Sequence, residues 1–128
     1  MPNIIQASSL RNRIYQGPQG NASVVEGCIT LKALADGDSV ELTEFPIGMR
    51  LYGLRIHHEA LGANVKGTFK VGDHTLVSDV DLNTTTPDIV NFIPYTTEAQ
   101  NERLTVTFSG GAATGKLVVI TEYTPVGY

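Results

Sequence analysis

The chain has no tryptophan and only one cysteine, Cys28, among its 128 residues. A single cysteine excludes an intramolecular disulfide, and a disulfide-free chain of this size fits assembly in a reducing cytosol. Cys28 reads as a small strand residue between Gly27 and Ile29, since no His–Asn or His–Asp pattern marks it as a nucleophile. Charge is also scarce. Charged residues make up 17% of the chain and the net charge is −4, whereas a nucleic-acid binder needs a basic face to displace counterions from phosphate. No nucleic-acid partner is therefore expected. No apolar run is long enough to span a bilayer, and the N-terminal MPNIIQASSLRNR lacks a basic region followed by an apolar stretch. Neither a membrane nor a secretory leader is expected.

What is present is punctuation and alternation. Thirteen glycines and six prolines divide the chain into short runs whose apolar residues recur with a period of two, the pattern of strands with one buried face. The stretch from Asp36 to Asp73 shows it best. Val40 and Leu42 alternate with Ser39, Glu41 and Thr43. Tyr52, Leu54 and Ile56 alternate with Leu51, Gly53 and Arg55. Val65, Phe69 and Val71 alternate with Lys66, Thr68 and Lys70. Val24–Leu34 is a first long strand with Val25, Gly27, Ile29, Leu31 and Ala33 inward. Asp36-Gly37 supplies the positive-φ residue of a tight hairpin back to Ser39. Phe45-Pro46-Ile47-Gly48 is a corner, and Met49–His58 is a central strand. His74–Val80, Ile89–Tyr95 (ending at Pro94), Arg103–Phe108 and Thr114–Tyr123 complete the set, with 81–88 an exposed loop. Leu117–Ile120 is apolar on both faces, as in a strand that is central or covered. About eight strands and no long helix predict an all-β fold: a two-sheet antiparallel β-sandwich, jelly-roll-like, over residues 23–128.

Residues 1–22 break the pattern. The first 25 residues hold two of the nine basic residues, Arg11 and Arg13, and none of the thirteen acidic ones. Ile4, Ile5, Leu10, Ile14 and Tyr15 are scattered among polar residues, and Gly17-Pro18-Gln19-Gly20 stops any helix. This reads as an extended N-terminal arm whose apolar residues must fold back on the body or lie on another chain. Ile4, Ile5, Leu10, Arg11, Arg13, Ile14 and Tyr15 are the candidate partner-binding residues.

Chemistry-bearing constellations are weak. His57 and His58 point to opposite faces of a strand and cannot both ligate one zinc ion; His58 and His74 meet only if their strand ends are adjacent. Asp79, Asp81 and Asp88 could offer oxygen ligands to calcium, but no EF-hand loop surrounds them and a solvated loop explains them. Turn chemistry explains Asp36 and Asp38. Gly110–Lys116 lacks the ending of a phosphate loop and precedes a strand, and no GxSxG is present. Tyr52, Tyr95 and Tyr123 fit core or interface packing as well as a sugar platform. No enzyme activity, no metal and no cofactor are expected.

Several runs resemble small virion proteins of tailed bacteriophages. They are DSVEL leading into the corner PIGMR, then ALG and VGD within residues 36–73, and the closing GGAATGKLVVITEY within 104–123. The resemblance implies a capsid decoration, or cement, protein on the outer surface of an icosahedral head. Such a protein is made in the bacterial host cytoplasm and binds the major capsid protein and itself, as a dimer or trimer. Three other readings compete with it. One is another phage structural role, such as a head-fibre base, a tail component or a head–tail joining piece. The others are a carbohydrate-binding jelly-roll module and a cupin-type enzyme.

Overall fold

A computed structural model describes residues 3–11, 13, 14, 16, 21–85 and 87–126. Nine strands and no helix occur among them: β1 (Ile4–Gln6), β2 (Ser23–Leu34), β3 (Ser39–Phe45), β4 (Met49–His58), β5 (Lys66–Val71), β6 (His74–Asp81), β7 (Asp88–Thr96), β8 (Glu102–Ser109) and β9 (Ala113–Pro125). They form two sheets, ordered β1-β3-β8-β5-β6 and β2-β9-β4-β7. All pairs are antiparallel except β1 with β3, which run parallel. This is the predicted two-sheet sandwich, with one strand added from the arm.

The core lies between the inner faces. Val40 and Leu42 of β3, Phe69 and Val71 of β5, and Leu104, Val106 and Phe108 of β8 meet Leu51, Leu54 and Ile56 of β4 and Leu117, Val119 and Tyr123 of β9. Phe45 and Tyr123 pack edge to face with ring centroids 6.3 Å apart. Strand β9 runs between β2 and β4, which answers the doubly apolar Leu117–Ile120 run: Leu117 and Val119 fill the core while Val118 and Ile120 sit half-buried on the outer face.

The structure corrects five local readings. Asp36-Gly37 is a turn with Gly37 at φ 90°, but it passes the chain from one sheet to the other and closes no hairpin. A register shift between Leu31 and Leu34, with Ala33 at φ 46°, turns Ala33 outward and buries Leu34 instead. A bulge between Leu51 and Gly53 sends Tyr52 outward, where its hydroxyl is 2.8 Å from that of Thr124. Leu82, inside the expected exposed loop, is fully buried and its backbone bonds to Val65 and Leu61. Strand β7 continues past Pro94 to Thr96, because a residue without an N–H is tolerated on the edge of a sheet.

Candidate protein-binding surface

The two sheets give the sandwich two long sides. On one, β3 of the first sheet faces β2 of the second, and they approach so closely that a Cβ on Gly27 would lie 2.8 Å from Thr43 Oγ1 and 3.0 Å from Leu42 Cβ. The arm fills the rest of this seam. Ala7 N–H donates to Glu41 O, and Glu44 N–H donates to Leu10 O. Ser9 Oγ donates to Leu42 O at 3.0 Å and accepts from Cys28 N–H at 3.1 Å, so one hydroxyl joins the two sheets. Leu42 sits at the register shift of β3 against β8.

The candidate arm residues therefore divide. Leu10 is 1% exposed and Ile14 packs against the core, so their apolar surface is spent within the chain. Ile4 (67%) and Ile5 face solvent from β1. Arg11 is exposed and lies 3.9 Å from Glu44, while Arg13 is exposed with no ion-pair partner among the described residues. Tyr15 lies outside the described residues. Of the acids of this side, Glu41 and Glu44 are held by Arg103 at 3.0 and 3.3 Å, Asp38 accepts from the N–H groups of Asn3 and Ala35, and Asp36 is exposed in the β2–β3 turn.

The opposite side is built differently. Here the edge strands β6 and β7 do not pair, and a groove of about 650 Å³ runs between His74–Leu76 and Asn91–Ile93. Its crossing point is an aromatic latch: the His74 ring stacks on Tyr95 with centroids 4.3 Å apart. Tyr95 O–H donates to Glu102 Oε1 at 2.6 Å, and Glu102 Oε2 accepts from the N–H groups of Glu98 and Ala99. Burial, and then this bond and the nearby acids, push the Tyr95 phenol well above its ordinary value. Ile89 (75%) and Ile93 (88%) project from β7 into solvent. Asp73 and Glu98 lie beside the latch with no ion-pair partner among the described residues.

A third surface is the outer face of the second sheet. Val24, Val118, Ile120 and Ile89 stand on its strands among Glu26, His57 and the Arg55–Glu122 pair at 2.9 Å.

No protein-family model and no curated protein matches the sequence. Among solved structures, the chain is similar to one in the capsid of Ralstonia phage GP4. The TM-score is 0.69 at 19% identity, over 98% of this chain and 99% of that one. It is also similar to a chain of the cyanophage Pam1 capsid asymmetric unit. There the TM-score is 0.65 at 21% identity, over 89% of this chain and 94% of that one. At these identities the likeness shows the fold: this is a jelly-roll-like sandwich shared, end to end, with chains of similar length in those two shells.

The histidines take separate places. His57 is exposed, whereas the His58 side chain is fully buried, with Nδ1 3.1 Å from Glu59 O and Nε2 3.3 Å from Asp88 Oδ2. His58 and His74 lie at opposite ends of β7, beside Asp88 and Tyr95 respectively. Asp79 sits in a bulge at φ 55°, and Asp81 turns to Lys66 at 3.8 Å. Among the described residues no three potential ligand side chains converge. The latch and the groove beside it were missed in the sequence: His74, Tyr95 and Glu102 come from three strands, and no local spacing links them.

Proposed function

We propose that this chain is a non-enzymatic bacteriophage virion protein that binds the outer surface of an icosahedral head and stabilises contacts between major capsid subunits, as a decoration or cement subunit. The observation that carries this reading is the full-length likeness to chains of two phage capsids. The coverage is near complete in both directions, so the whole folded unit is the thing shared. The surface supports it. Of the large exposed side chains, Ile4 and Ile5 lie on the arm side and Ile93 beside the groove, while Val24 and Ile89 stand on the outer face of the second sheet. Contact surface of this kind is suited to protein partners.

The mechanism needs no chemistry. A protein that binds the assembled shell and not its separated subunits lowers the free energy of the shell by mass action. A standard interface buries roughly 1,200–2,000 Å², and linking several copies into one oligomer adds avidity without new contacts. In this reading the subunit lies across a junction between capsid subunits, and Ile4, Ile5, Arg11 and Arg13 of the arm contact a neighbouring chain.

The test is co-sedimentation of the purified protein with mature and immature head shells of its source phage, at moderate and high salt. Saturable binding to mature shells at a fixed ratio to capsid subunits supports the cement role. Binding to neither shell sinks it and favours a tail or head–tail joining role.

A further inference from the structure

The two sides of the sandwich are complementary to each other. We propose that copies of this chain associate head to tail, the arm side of one seated on the open side of the next. This rests on the self-association part of the reading above and not on shell binding.

The arm side offers Ile4 and Ile5 on a three-residue strand whose side chains are all exposed. Glu41 and Glu44 are engaged by Arg103, and Asp38 by the N–H groups of Asn3 and Ala35, which leaves the guanidinium of Arg13, and in large part that of Arg11, to an outside partner. The open side offers the reverse. Phe92 lines the groove and Ile93 is exposed beside it, and the adjoining hollow around His74 and Tyr95 carries Asp73 and Glu98, neither with an ion-pair partner among the described residues. Apolar surface with positive charge thus lies on one side, and apolar surface with negative charge on the other. Each side repels itself, since pairing two arm sides brings arginines together and pairing two open sides brings carboxylates together. Like-charge juxtaposition is the usual means of suppressing the wrong pairing.

Backbone geometry points the same way. The edge strands β1 and β6 bound the first sheet and β2 and β7 the second, and among the described residues only β2 is covered in part, by Ser9 on Cys28 N–H. Such edges are templates for another chain unless they are covered. A contact between unlike sides repeats from copy to copy and must close into a ring or run on as a filament. Pro94 on β7 removes one backbone donor, so the contact with β7 depends more on Ile89 and Ile93 than on a continuous ladder.

The experiment is a charge swap read by native mass spectrometry and sedimentation velocity on the full chain, without shells. The expected wild-type species is a closed oligomer. Arg11→Glu with Arg13→Glu, and separately Asp73→Lys with Glu98→Lys, should each weaken association by on the order of tenfold or more. Asp73 tolerates the change because Gly72, at φ 58°, carries the left-handed position of that turn. All four changes in one chain should restore the oligomer, because each side has then exchanged sign. A monomeric wild type overturns the proposal. So does an oligomer that neither pair disturbs, or a fourfold variant no better associated than its parents. Hydrogen exchange of the wild type across concentrations gives a reading that does not depend on any variant. Protection on assembly is expected at both Ile4–Gln6 and Ile89–Ile93, and protection at only one or neither overturns the contact. Co-sedimentation of the same samples with shells separates the two readings. An oligomer that ignores shells removes the cement role and leaves this contact; a monomer that binds shells does the opposite.

Discussion

The two long sides of this sandwich solve the same problem in opposite ways. Where β2 faces β3, glycine at position 27 lets the sheets touch, and Ala7, Ser9 and Leu10 of the arm are buried along the seam. Where β6 faces β7, the sheets stand apart and one stacked pair, His74 on Tyr95, bridges them beside an open groove. The first side is sealed within the chain and contributes to its stability. The second keeps apolar and acidic surface in solvent, which adds little to the stability of a single copy. That contrast gives the first edge a part in folding that the second lacks, and substitutions can separate folding from association.

The largest effect is expected at the seam. Gly27→Val places a branched side chain where a single Cβ already meets Thr43 Oγ1 and the Leu42 backbone and side chain. The edges must part, at a cost of about 3 kcal/mol or more. Leu10→Ala removes a side chain that is 1% exposed and should cost about 3 kcal/mol, since the arm can collapse only partly onto the gap. Urea titration of both variants checks this. A midpoint for Leu10→Ala equal to that of wild type would mean that the arm does not seal the body in solution.

Ser9→Ala is the next step down. It leaves Leu42 C=O and Cys28 N–H without the hydroxyl that joins them, in a place water reaches poorly. A loss of about 1–2 kcal/mol is expected, and Ser9→Thr should recover part of it if the seam accepts the extra methyl group.

How much of this contrast is legible in the sequence depends on the distance over which each feature acts. Strand positions follow from alternation, and the core rows of β5 and β8 agree with it, as Leu104, Val106 and Phe108 show, whereas in β3 the register shift buries Thr43, which alternation turns outward. Alternation fails where a bulge shifts parity, at Tyr52 and Ala33, because one extra residue exchanges the faces without altering the composition around it. Asp36-Gly37 satisfies a positive-φ turn whether the next strand pairs with the last or crosses to the other sheet, so it could not fix topology. The strand count led to the sandwich, but sealed and open sides are properties of strand order, and strand order is set by contacts between residues far apart in the chain. Ser9 meets Leu42 across 33 residues. No pattern near Ser9 announces that meeting.

On the open side, the latch can be weakened without touching the seam. Tyr95→Phe loses the 2.6 Å bond to Glu102 and leaves the stack on His74 in place, with an expected loss of about 1 kcal/mol at neutral pH. The pH dependence identifies the group. The Tyr95 phenol is raised in the folded state, above a tyrosine's ordinary value of about 10 in the unfolded chain. The folded state therefore holds this proton more tightly. Its contribution is fully present below about pH 10 and is lost as pH rises beyond that. Wild type should lose stability more steeply than Tyr95→Phe above pH 10. Parallel curves would show that the latch bond is not formed in solution.

The smallest effect on folding is expected at Ile93, and it is the most informative about function. Ile93→Thr keeps a β-branched side chain on an edge strand and removes apolar surface that is 88% exposed, so the stability of one copy should change by less than about 0.5 kcal/mol. If the open side serves association, the same change should shift the oligomer toward monomer while the melting curve of dilute protein stays where it was. A loss of stability without a loss of association would mean that Ile93 contributes to the body, and that the two edges differ only in how tightly they close.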